Sequence, residues 1–143
     1  MNGVKHAQSF RDLIVYQKGR QLSREIFELT KSFSKEESFS LIDQIRRSSR
    51  SIGSKISEAW AKRRYEKHFV SKLTEADGEQ METQHWIETA LDCRYIDQST
   101  SSRLIEKCLE IGRMLGGMME KSELFCGDSP RTFREASAEY FTN

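Results

Sequence analysis

The sequence predicts an all-α protein, an antiparallel up-down-up-down four-helix bundle with a C-terminal tail. Three observations predict it. The 143-residue chain holds a single proline, Pro130, and a long proline-free run rich in Glu, Lys, Arg, Leu and Gln favours uninterrupted helix. Four segments place apolar residues three and four positions apart, the spacing of one helix face. The polar connections between them are short, which makes sequence neighbours antiparallel.

The first stripe is Val15, Gly19, Leu22, Ile26, Leu29 and Phe33. Ser34 and Glu37 follow at capping-box spacing. The second stripe is Ile42, Ile45, Ser49, Ile52, Ile56, Ala59 and Arg63. The third is Phe69, Leu73, Ala76, Gln80, Gln84, Ile87 and Leu91, and a polar loop from Arg94 to Ser99 closes it. The fourth is Leu104, Cys108, Ile111, Leu115 and Met118, with Ser99 or Thr100 as the expected N-cap. The bundle is expected over residues 1–125. Gly127-Asp128-Ser129-Pro130 stops the last helix, and residues 126–143 read as a flexible tail or a short docked segment.

One further face needs a partner. Leu13, Tyr16 and Phe27 lie well away from the first stripe at 100° per residue. They are assigned to an interface with another subunit, with the C-terminal tail as the alternative cover.

Composition narrows the class. This length fits one domain. Charged residues make up 31% and hydrophobic residues 36%, yet 8 Phe, 4 Tyr and 2 Trp are too many for a disordered chain. No apolar run is long enough to cross a membrane, and the first six residues offer no apolar signal-peptide core. Three cysteines, Cys93, Cys108 and Cys126, form no C-x-x-C pair. Reduced thiols and a cytoplasmic location are expected, and no zinc knuckle or disulfide framework. No nucleophile elbow, Walker loop or dinucleotide fingerprint is present, so no cofactor is expected.

Two spacings carry chemistry elsewhere. Glu82 and His85 form an E-x-x-H pair, but di-iron bundles need a second pair and more inward glutamates. This pair falls opposite the third stripe and reads as a solvated face, so no metal is expected. Arg63 and His68 match the R-x4-H spacing of the HEPN ribonucleases, which are also helical bundles. A metal-independent ribonuclease is therefore one alternative function, and a pure assembly or adaptor protein is another.

Charge gives the strongest signal. Residues 1–64 carry 14 Lys and Arg against 7 Asp and Glu, whereas residues 65–143 carry 9 against 15. Between positions 46 and 64 stand Arg46, Arg47, Arg50, Lys55, Lys62, Arg63 and Arg64, with Glu58 as the one acid. Arg47, Arg50, Lys62 and Arg64 are assigned to nucleic-acid phosphates. Arg46 and Glu58 are assigned to a partly buried ion pair. The competing expectation is that the basic segment is neutralised by the acidic third helix.

These residues also carry a family resemblance. Phe10-Arg11-Asp12-Leu13 with Tyr16, then Ile26-Phe27-Glu28-Leu29-Thr30, resembles a characteristic first helix. Gln44-Ile45-Arg46-Arg47-Ser48-Ser49, Ser51-Ile52 and Ile56-Ser57-Glu58-Ala59 resemble a signature second helix. Together they are similar to the bacterial four-helix-bundle family encoded in intervening sequences of large-subunit ribosomal RNA genes. That family is related to the accessory variability proteins of diversity-generating retroelements. The resemblance implies a homopentameric ring, no catalysis, and relatives that bind nucleic acid and a reverse transcriptase through basic surface. The chain departs from the pattern with Lys55 where Asn is usual, and with Ala59 and Ala61 where Gly is usual.

Overall fold

The computed structural model describes residues 8–127, 140 and 141, and these build four long helices. They are α1 (Ile14–Thr30), α2 (Leu41–Ala61), α3 (Glu66–Asp92) and α4 (Gln98–Glu120). Short 3-10 turns stand at Phe10–Asp12, Lys35–Glu37 and Ser122–Leu124.

Cross-helix contacts give the topology. Gly19 of α1 meets Ile52 of α2, while Thr30 meets Arg46. Ser48 of α2 meets Thr83 of α3, while Glu58 meets Lys72. Thr74 of α3 meets Met119 of α4, while Gln80 meets Gly112. Glu25 of α1 meets Lys107 of α4, while Lys18 meets Glu110. In each pair the numbers run in opposite directions, so all four neighbouring pairs are antiparallel. The contacts close a ring, α1–α2–α3–α4–α1, which is the up-down-up-down bundle.

The buried stripes match those expected on α2 and α4. On α2 they are Ile42, Ile45, Ser49, Ile52, Ile56 and Ala59, and on α4 they are Leu104, Cys108, Ile111, Leu115 and Met118. On α3 the stripe drifts. Thr83 and Ala90 are buried where Gln84 and Leu91 were expected, and those two are half-buried. Polar pairing accompanies the drift: Thr83 donates to Ser48 Oγ at 2.9 Å inside the α2–α3 contact. Gln84 instead bonds Gln80, which bonds Asp77.

The caps differ from expectation. Ser34 accepts from Glu36 N and caps only the 3-10 turn. Glu37 does not complete the box; its carboxylate accepts from Ser40 Oγ and Tyr95 Oη. Asp97, rather than Ser99 or Thr100, caps α4 by accepting from Thr100 N at 2.8 Å. α3 ends in a Schellman turn: Tyr95 N bonds Ala90 O, Arg94 N bonds Leu91 O, and Arg94 takes φ 65°.

The C-terminal end of the chain closes one end of the bundle. Phe125 is fully buried and touches Phe69, Tyr140 and Phe141. Phe141 meets the edge of Trp60 and pairs with Leu13 in an antiparallel backbone bridge. Leu13 is thereby only 1% exposed. Its assignment to a subunit interface is corrected: the residue it pairs with is Phe141 of the same chain. Of the expected tail, Tyr140 and Phe141 are docked, while residues 128–139 lie outside the described residues.

Candidate nucleic-acid interface

The two flanks of α2 carry different chemistry. One flank faces α1. Gly19 and Gly53 let these helices approach: a Cβ at Gly19 would stand 3.2 Å from Ile52 Cγ2, and one at Gly53 would stand 3.4 Å from Tyr16 Cε1. That approach puts the α1 aromatics against the α2 arginines. Arg46 donates from Nε to Thr30 Oγ1 at 2.8 Å and from Nη2 to Phe27 O at 3.3 Å. Its guanidinium lies 4.6 Å from the Phe27 ring centre. A cation among the last carbonyls of α1 also suits the helix dipole.

Arg50 covers the same ring at 5.6 Å, and Lys31 covers it at 4.8 Å. Below them a concavity of about 230 Å³ is lined by Arg20, Ser23, Arg24, Phe27 and Arg50. Along α1 it is followed by a second, of about 400 Å³, which shares Arg20 and Arg24 and adds Arg11, Tyr16, Gln17 and Gln21. Arg11 lies over Phe10 at 4.5 Å, Arg20 over Tyr16 at 6.0 Å, and Phe10 meets Tyr16 edge-on. Tyr16 and Phe27, expected at a subunit interface, are thus half-buried under the chain's own side chains.

The other flank faces α3. Lys55 lies 3.3 Å from Glu75 and 3.8 Å from Glu58, and Lys72 lies 2.9 Å from Glu58 and 3.3 Å from Glu75. The four charges form a closed ring. The hydrogen bond from Lys72 holds Glu58 below the usual carboxylate range, and the one from Lys55 does so for Glu75. Lys72 is raised in turn, chiefly by Glu58.

This arrangement corrects the Arg46–Glu58 pair. The two residues stand twelve apart on one helix, about 18 Å along its axis, and on opposite flanks. Each takes its partner from a different neighbouring helix.

The four residues assigned to phosphate are all exposed but do not form one patch. Arg50 lies in the α1–α2 groove. Arg47 lies on the α3 flank, where it acts electrostatically on Glu79; burial raises that carboxyl first and Glu82 adds to the rise. Lys62 and Arg64 stand in the turn between α2 and α3. Among the described residues, no carboxylate is within ion-pair distance of Arg11, Arg20, Arg24, Arg46, Arg47, Arg50, Lys62 or Arg64.

Arg11, Arg20 and Arg24 line these concavities but lie outside the basic segment of α2 to which the sequence assigned phosphate contacts. A signal was present: Tyr16, Arg20, Arg24 and Phe27 recur at spacings of four, four and three, one helix stripe mixing aromatic with basic residues.

The remaining spacings separate. Arg63 places its guanidinium carbon 3.6 Å from the Trp60 ring centre and donates to Trp60 O, and burial lowers its pKa. His68 is exposed beside Tyr65. Glu82 accepts from Trp86 Nε1 and is exposed, as is His85. Among the described residues no cluster of three His, Cys, Asp or Glu side chains could hold a metal, and no helix is long and apolar enough to cross a membrane. Cys108 is buried, which pushes its thiol up to about 12.

Comparison with known proteins gives a family match and matches among solved structures. Residues 11–117 match the family model described as 23S rRNA-intervening sequence protein. A crystal structure from Bacteroides thetaiotaomicron, of a protein of unknown function from the S23 ribosomal protein family, is 29% identical. It aligns with a TM-score of 0.68 over 75% of this chain and 96% of its own. No curated protein matches the chain.

Proposed function

We propose that this chain, which belongs to the 23S rRNA-intervening sequence protein family, is a non-enzymatic, oligomeric bundle that binds RNA or DNA through basic surface. The surface comprises the α1–α2 groove together with Arg47, Lys62 and Arg64. One observation carries the reading: Arg11, Arg20, Arg24, Arg46 and Arg50 along α1 and the facing side of α2 have no carboxylate partner among the described residues, and neither do Arg47, Lys62 and Arg64. Lysines and arginines of α3 and α4 reach Glu25, Glu58, Glu75 and Glu106.

An uncancelled arginine row attracts phosphate, and each fork can meet two phosphate oxygens. No set of side chains aimed at base edges stands out, so sequence preference should be weak. Repetition of the surface in an oligomer, five subunits by the family resemblance, raises avidity. Exposed Phe39, Met81 and Leu109 offer apolar surface for such contacts. The ribonuclease alternative is disfavoured because Arg63 is spent on Trp60 rather than presented to solvent with His68.

A salt titration tests the reading. Log affinity should fall with log salt by about 0.7 per phosphate met on a single strand, or about 0.9 on duplex DNA. Absence of binding at about 50 mM salt, where screening is weak, sinks it in favour of an adaptor role. Light scattering tests the assembly: a multiple of 16.7 kDa is expected, and a clean monomer contradicts it.

A further inference from the structure

We infer that the α1–α2 groove is a track for single-stranded nucleic acid, with bases splayed onto guanidinium planes that the aromatic side chains hold in place. The inference rests on the nucleic-acid reading above and adds the substrate class and the residues. Its first ground is shape. The two concavities share Arg20 and Arg24 and so form one shallow channel along α1. From Tyr16 to Phe27 it is about 17 Å long, and its lining comes from α1 and the turn before it except for Arg50 of α2. A run of this length along one helix matches a few nucleotides of a single extended strand.

The second ground is the layering. Every aromatic ring on this face carries a guanidinium: Arg11 on Phe10, Arg20 on Tyr16, Arg46 and Arg50 on Phe27. Unpaired bases stack on arginine planes as well as on aromatic rings, and bases inside a duplex are withheld from them. Held by the rings beneath, the planes lose less freedom on binding. Phosphates meet the free edges of Arg20, Arg24 and Arg50. RNA and DNA share this chemistry, so the groove binds both unless the ribose hydroxyl is also met.

The experiment is fluorescence anisotropy with the full chain and three labelled probes: a 12-nucleotide oligouridylate, a 12-nucleotide oligothymidylate and a 12-base-pair DNA duplex. Arg20→Gln/Arg24→Gln is compared with Arg103→Gln/Arg113→Gln, an equal charge change on α4. Wild type should bind the single strands at least about fivefold more tightly than the duplex, the lower end for one base stacked. The α1 variant should lose that preference and about 1.4 of its single-strand salt slope; the α4 variant should keep both. Equal affinity for the two single strands identifies phosphate and base as the ligand, and a gain for oligouridylate alone adds the ribose hydroxyl; either supports the track. A duplex preference, equal binding of strand and duplex, or an α1 variant like wild type overturns the track while leaving the broader reading. No binding of any probe by wild type overturns both.

Discussion

The flank of α2 that faces α1 and the flank that faces α3 hold similar numbers of charges and treat them in opposite ways. Toward α3, Lys55 and Glu58 close a ring with Lys72 and Glu75. Toward α1, Arg46 and Arg50 lie over a ring and near arginines, with no carboxylate in reach. Cancelled charge on an exposed surface contributes little to stability and nothing to an anion's attraction. Uncancelled charge raises the potential that draws in phosphate, at some cost in self-repulsion. A helix can thus use one flank to join its neighbour and keep the other for a ligand.

The largest effect that would break this comparison is on binding. Arg20→Gln/Arg24→Gln/Arg50→Gln should weaken oligonucleotide binding by about a hundredfold, on the order of 2.7 kcal/mol. The melting temperature should hardly move, because none of the three holds a carboxylate. A large loss of stability with unchanged affinity would make this flank structural.

Arg46 sharpens the comparison, because it joins the flank to the fold. Arg46→Ala removes two charge-assisted hydrogen bonds and a cation–π contact. Chemical denaturation should show a loss of about 2 kcal/mol. Arg46→Lys should recover only part of it, since an ammonium lacks the fork.

Toward α3, stability lies in the buried hydroxyl pair rather than in the surface ring. Thr83→Val should cost about 1–2 kcal/mol by removing the donor to Ser48, whose hydroxyl keeps only its bond to Ile45 O. Adding Ser48→Ala should cost less than the sum of the single changes, which a double-mutant cycle reads directly.

The smallest effect falls on Glu58. Its side chain is 43% exposed, so Glu58→Gln should cost under about 1 kcal/mol. The sequence had favoured a partly buried pair, which would cost several times more to break. The pH dependence has a definite sign. Glu58 and Glu75 have folded pKa values below their usual 4.5, so their contribution is present above that value and is lost as pH falls through the folded values. Thermal melts in acid should show this loss, and added salt should shrink it.

The bundle was legible because each stripe is a local property. Periodicity fixed the faces of α2 and α4, and short loops fixed the antiparallel order. What was not legible depended on which helix lies beside which. Arg46 and Glu58 sit in one basic segment, yet each is partnered by a different neighbour. Leu13 looked unpartnered because Phe141, its cover, is far away in sequence. Gln84 held a stripe position, but Thr83 is the residue that meets α2, bonded to Ser48 and buried. The sequence assignment named Arg50 but not Arg20 and Arg24, which line the same concavity, because that concavity exists only once α1 and α2 are packed.

The division of α2 is tested most directly by NMR of the arginine Nε–H and lysine Nζ–H groups during titration with a 12-nucleotide oligouridylate. Shifts at Arg20, Arg24 and Arg50, with Lys55 and Lys72 unmoved, are the result this account predicts. Shifts confined to Lys55, Lys72 and Arg47, or absent from the α1–α2 groove, would contradict it.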